Sequence, residues 1–139
     1  MDIRNYIKAV GVKLAETAEK FSANALLLEA AGHQGLATQF ETEANDCRQF
    51  SLVFKGAPQA ARIPVSFRSV RRCFEEMLGV LQIEIVPLIN RALNVASKED
   101  ESNLEASLSA IERQLDWIEA QLFSIKELGE ENYLNQLKI

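Results

Sequence analysis

Apolar residues return every three or four positions along almost the whole chain, which is the period of an amphipathic α-helix. Over residues 3–31 the stripe is Ile7, Val10, Leu14, Ala18, Phe21, Ala25 and Leu28. Over 36–54 it is Phe40, Ala44, Cys47, Phe50 and Phe54, and Gly56 suits the position just past the end of that helix. Over 65–96 it is Phe67, Val70, Phe74, Met77, Leu81, Ile85, Leu88 and Ala92. Pro87 interrupts this third stripe. It removes one helical hydrogen bond, so the pattern predicts a kink there. The fourth stripe is the cleanest: Leu104, Leu108, Ile111, Leu115, Ile118, Leu122 and Ile125. Ser102 and Glu105 fit a capping box at its start, and acidic residues 99–101 precede it. Gly129 ends the run, and residues 130–139 can form a short fifth helix.

No segment alternates with the period of a strand. Four long amphipathic segments predict an all-α fold, a four-helix bundle with a short C-terminal fifth helix, over one domain spanning 1–139. The short AGHQG loop makes the first two helices antiparallel. The connection KGAPQAARIPVS, with Pro58 and Pro64, reaches about 40 Å if extended. The second helix is about 28 Å long. Length therefore allows either a crossover along the bundle or a simple up-down arrangement.

The net charge of −5 argues against a generic nucleic-acid binder. No apolar run approaches the roughly 20 residues of a membrane span. The N-terminal stretch is charged throughout, unlike a signal peptide, so a cytoplasmic location is expected. Cys47 and Cys73 fall on apolar positions and read as buried thiols, with no Cys-x-x-Cys spacing to suggest a metal or redox pair. His33, the one histidine, lies in a loop without acidic neighbours and reads as exposed. No Ser-His-Asp or Cys-His arrangement is available. Glu41, Glu43 and Asp46, like Glu75 and Glu76, read as charged helix faces. Arg62, Arg68, Arg71 and Arg72 form a local basic patch. It suits a phosphate at the helix N-terminus, the acidic 99–105 segment, or a partner chain.

The fourth helix carries a resemblance. Asp116-Trp117-Ile118-Glu119-Ala120-Gln121-Leu122 resembles the bacterioferritin Asp-Trp-Leu-Glu-x-Gln-Leu. Gly129 followed by Asn132-Tyr133-Leu134 resembles the Gly-x-x-Asn-Tyr-Leu of that family's tail. Gly56-x-Pro58 and Phe74-Glu75-Glu76-Met77-Leu78 are similar to the family's sequence after its second helix and at the opening of its third. The resemblance implies a bundle with a crossover, two-fold dimers or a cage, iron oxidation and storage, and haem between subunits. It also implies a di-iron centre, with a Glu from each of two helices and a Glu-x-x-His from each of the others.

This chain has no Glu-x-x-His. The implied ligand positions fall near Leu14, on Phe40 and Glu43, on Ile85 or, one residue shifted, Glu84, and on Ile111 and Gln114. The haem-ligand position falls on Glu41. Glu43 and Glu84 are thus the remaining metal candidates, and neither haem nor any other cofactor is expected, with weak iron binding left open. An unpaired buried carboxylate costs several kcal/mol, so a bundle without metal gains by replacing it. The expectation is a non-catalytic assembly or interaction subunit, a homo-oligomer or the companion of a ferritin-family partner. An iron-storage protein with an altered site is the alternative. A third possibility is an apolar ligand or partner helix at the Pro87 kink.

Overall fold

The computed structural model describes residues 3–56 and 66–137, and every regular element among them is helical. Helices α1 (Ile3–Ala30) and α2 (Gln34–Val53) are followed by α3 (Val70–Gly79), a π-helical turn (Val80–Ile85) and α4 (Val86–Leu93). Helices α5 (Lys98–Leu128) and α6 (Glu130–Gln136) complete the fold. The backbone stays right-handed helical across both junctions of the π turn. α3, the π turn and α4 therefore form one rod, the third of four.

Helices α1 and α2 form an antiparallel pair. Across from α1, Lys13 meets Glu84 and Asn24 meets Met77, so the third rod also runs antiparallel to α1 and hence parallel to α2. Gly56 lies against Gly11 at one end of the bundle. Ser66 and Phe67 share a cleft with Leu27 at the other end. The stretch of α1 between Gly11 and Leu27 spans about 24 Å. The chain thus leaves α2 at one end and enters the third rod at the other, so the connection is a crossover. Pro58, Arg62 and Pro64 lie outside the described residues.

α5 is antiparallel to α2, with Arg113 on Asp46 at 2.9 Å and Trp117 against Phe40. α6 folds back against α5. The buried Tyr133 donates its hydroxyl to Gln121 Oε1 at 2.6 Å, and Leu134 and Leu137 lie beside the α1–α2 turn.

The helix ends explain several boundaries. After α1, Gly32 adopts a left-handed φ of 91°. The Gly32 and His33 amides then donate to the Glu29 and Leu28 carbonyls, the paired bonds of a Schellman motif. The same motif closes α2, with Lys55 and Gly56 donating to Leu52 and Ser51. Here the left-handed residue is Lys55, at φ 54°, rather than Gly56. Gly56 answers a different requirement: a Cβ there would overlap the Gly11 backbone.

Three expected boundaries shift. α5 starts at Lys98, because Ser97 rather than Ser102 is its N-cap, accepting from the Asp100 amide and donating to its carboxylate. Residues 99–101 therefore occupy the first turn, where the helix dipole favours acids. The third rod starts at Val70 instead of residue 65, with Ser69 as its cap. Just before Pro87 lies the π turn, closed by the Val86 amide donating to the Leu81 carbonyl five residues back. That turn takes up one extra residue and rotates all later positions. Ile89 is consequently fully buried, while Leu88 is half-buried.

Candidate functional site

Each helix contributes its stripe to one continuous core, and Leu14, Phe40, Ile85, Ile111 and Gln114, positions at which the bacterioferritin resemblance implies ligands, are buried with it. Leu14, Phe40, Ile85 and Ile111 are at most 1% exposed. Phe40 stands at the centre of an aromatic cluster. Its ring lies 5.7 Å from Phe21, 5.2 Å from Phe74 and 5.9 Å from Trp117, and Phe74 lies 5.4 Å from Trp117. All four contacts are edge-to-face, the favourable arrangement of aromatic quadrupoles. Trp117 and Tyr133 both pack into this core.

Gln114 is buried and turned toward α2. Its amide donates to the Glu43 carbonyl at 3.3 Å, and its side chain lies 3.8 Å from the Cys47 sulfur. The carboxamide is thus held by α2. Cys47 is a free thiol, and burial pushes its pKa up to about 12. Cys73 is also free and buried, with a pKa raised to about 11, first by burial.

Glu43 corrects the expectation of a charged surface face, because it is only 9% exposed. One carboxylate oxygen lies 3.8 Å from Arg113, and Oε2 is buried without a hydrogen-bond partner. Burial raises its pKa, opposed by Gln114 and Arg113. Glu84 is different: it is part-exposed and bonded to Lys13 at 3.2 Å. The Lys13 pKa is raised chiefly by that bond and further by Glu16. The two candidate carboxylates are therefore held by different neighbours, Glu43 by α5 and Glu84 by α1. Glu41 pairs with Arg48 at 3.1 Å and accepts from Ser22. Among the described residues, no group of three or more His, Cys, Asp or Glu side chains could hold a metal.

The remaining sequence candidates separate. The N-terminus of α3 is already supplied with acceptors: the Arg71 amide donates to Glu130 and the Arg72 amide to Ser69. Arg71 also pairs with Glu75 at 3.6 Å. Arg68 and Arg72 line a cleft of about 530 Å³ together with Glu75 and Glu76. The acidic segment 99–105 begins α5 at the opposite end of the bundle, so it cannot reach these arginines within one chain. His33 is half-buried rather than exposed, 6.1 Å from the Phe67 ring and beside Leu134 and Leu137.

A second cleft, of about 460 Å³, was not visible in the sequence. Arg4, Ile7, Lys8, Phe54, Lys55 and Asp100 line it. Arg4 and Lys8 stand one turn apart on α1, which is the only sequence signal. Lys55 joins them through the α1–α2 pairing.

The bundle with its crossover and short C-terminal helix has the ferritin-like fold. Among 257 chains of solved structures that match it is the Mycobacterium tuberculosis bacterioferritin BfrA, with a TM-score of 0.81. The likeness covers 97% of this chain and 92% of that one, at 19% sequence identity. No protein-family model matches the sequence, and no curated protein matches it. No helix among the described residues is long and apolar enough to cross a membrane.

Proposed function

We propose that this chain is a bacterioferritin-like bundle that has lost the ferroxidase centre and works by assembly, with copies of itself or beside a ferritin-family partner in the cytoplasm. One observation carries this reading: side chains that need no metal fill five of the implied ligand positions, Leu14, Phe40, Ile85, Ile111 and Gln114. Phe40 is locked among three other aromatic rings, Gln114 is bonded to α2, and Leu14, Ile85 and Ile111 are closed in the core. A di-iron centre needs several inward carboxylates and histidines. The donor set here does not fit one. Haem held through residue 41 does not fit either, because Glu41 is tied to Arg48 and Ser22.

The test is Fe(II) loading followed by anomalous scattering and an oxidation assay. The expected result is no metal inside the bundle and oxidation at the buffer rate. Two strong metal peaks between the helices would sink the proposal. Mass in solution addresses the assembly half: a concentration-independent monomer would remove self-assembly and leave only the partner subunit.

The buried, unpartnered oxygen of Glu43 favours a second reading, an altered iron site built around that carboxylate. It predicts Fe(II) oxidation above the buffer rate that disappears in Glu43→Gln. Equal rates for the two proteins, at several iron-to-protein ratios, would dispose of it.

A further inference from the structure

We propose that two copies of this chain meet on the face formed by the third rod and α5, each laying its third rod on the α5 of the other. The inference rests on the self-assembly half of the reading above and names its surface. Every residue of this face lies within the described stretch 66–137. α5 has three basic and eight acidic residues, a balance of −5, which is that of the whole chain. Glu101, Glu105, Ser109, Glu112, Asp116 and Glu119 recur at steps of four and three and are all exposed, so they form one stripe. Ion pairs among the described residues engage no carboxylate of this stripe. Like charges three or four residues apart on a helix repel, so the stripe is unfavourable until cations cover it.

The third rod carries the opposite charge. Its fully exposed charged residues, Arg71, Arg72 and Arg91, are all basic. Its acids Glu75 and Glu84 are half-buried and already paired, with Arg71 and Lys13. The contact of Phe74 with Trp117 sets the register of the two helices. They run antiparallel with equal rise, so each step along the third rod matches one step back along α5. Arg72 is then level with Glu119, and Arg91 is level with Asp100, beside Glu101. Ile83, which is 73% exposed, is level with Leu108, beside Ser109, the uncharged position of the stripe. A two-fold axis parallel to the helices keeps these levels and sets each third rod on the other copy's α5. Arginines then meet carboxylates at both ends, and Ile83 meets the gap between them. An axis across the helices would set arginine on arginine. The same patch serves on both copies, so the contact closes as a dimer.

The experiment is sedimentation velocity of the full-length protein over a wide range of concentration, at low and high salt. Arg72→Glu, Glu119→Arg and the two together are compared with the parent, and Gln49→Arg on the exposed side of α2 is the control. The parent should dimerise at low salt and dissociate as salt screens the pairs. Each single reversal should weaken the dimer roughly tenfold, because attraction becomes repulsion at two symmetric places. The double variant should recover most of that loss, and Gln49→Arg should change nothing. All four side chains are exposed, and circular dichroism confirms that each variant is folded. Recovery in the double variant separates a lost contact from a damaged fold. A parent that stays monomeric at every concentration overturns the proposal together with self-assembly. A dimer that neither reversal weakens, or that the double variant does not restore, overturns this face alone and leaves self-assembly standing.

Discussion

The contact between Gly11 and Gly56 gives the sharpest test of how the bundle is closed. Replacing Gly56 by Ala places a Cβ onto the carbonyl carbon and oxygen of Gly11 and 2.6 Å from its Cα. Ordinary contact begins at 3.4 Å, so clearing the Cα alone requires a displacement of 0.8 Å (3.4 − 2.6). The obstructing atoms are backbone in the middle of a helical turn and cannot rotate away. The end of α2 must move off α1, which opens the packing around the buried Phe54 and Val10. Overpacking of this kind costs about 1–3 kcal/mol, and the rigidity of the neighbour places Gly56→Ala at the upper end.

The reverse change is milder. A Cβ on Gly11 would sit 2.8 Å from the Gly56 nitrogen, and alanine regains about 1 kcal/mol of helix propensity. Gly11→Ala should therefore lose about 1 kcal/mol or less. A Cβ on Gly79 would meet nothing within 4 Å, so Gly79→Ala should gain about 0.5–1 kcal/mol. Urea unfolding followed by far-UV circular dichroism ranks the three. A Gly56→Ala variant as stable as the parent, or more stable than Gly11→Ala, would refute the argument.

Other outcomes follow from the caps and the buried titratable groups. Ser97→Ala should lose about 1 kcal/mol in the same assay while Ser102→Ala loses almost nothing, because only Ser97 caps α5. Glu43 has a folded pKa above 4.5, so the folded state holds its proton more tightly and stability falls as pH rises from 4.5 through the raised value. Glu43→Gln should therefore stabilise the protein at neutral pH by roughly 1 kcal/mol and flatten the pH dependence in that window. A variant less stable than the parent at pH 7 would contradict this. Cys47, Cys73 and Tyr133 are neutral acids whose folded pKa values rise from 9.0, 9.0 and 10.0 to about 12, 11 and 12. Stability from these groups is complete below pH 9.0 and is lost as pH climbs toward those values, so thermal melts should fall from that point upward. Cys47→Ala should reduce the slope.

The helical stripes made most of this architecture legible. Val10, Leu14, Ala18 and Phe21, and likewise Leu104, Ile111, Ile118 and Ile125, are buried as their spacing requires. What escaped was set by contacts between elements. The sequence around Pro87 shows a helix breaker but not the inserted residue before it, so a constant period chooses Leu88 where the structure buries Ile89. Connection length alone left the crossover open; the pairing of Lys13 with Glu84 decides the direction of the third rod. At the implied metal positions, apolar side chains predict a dry core. The sequence does not show that Glu43 enters it or that Gln114 turns to α2. Those facts depend on how α2 and α5 meet.

The crossover has a consequence for how the chain assembles. Each side of it is a helical hairpin, α1 with α2 and the third rod with α5, built from contacts close in sequence that form fast. Joining the hairpins is a single later encounter, made intramolecular by the covalent step from Gly56 to Ser66. A chain cut within that step would retain every side-chain contact between Phe40, Phe74 and Trp117. The two fragments, mixed in equal amounts, should recombine into the native bundle as a bimolecular complex.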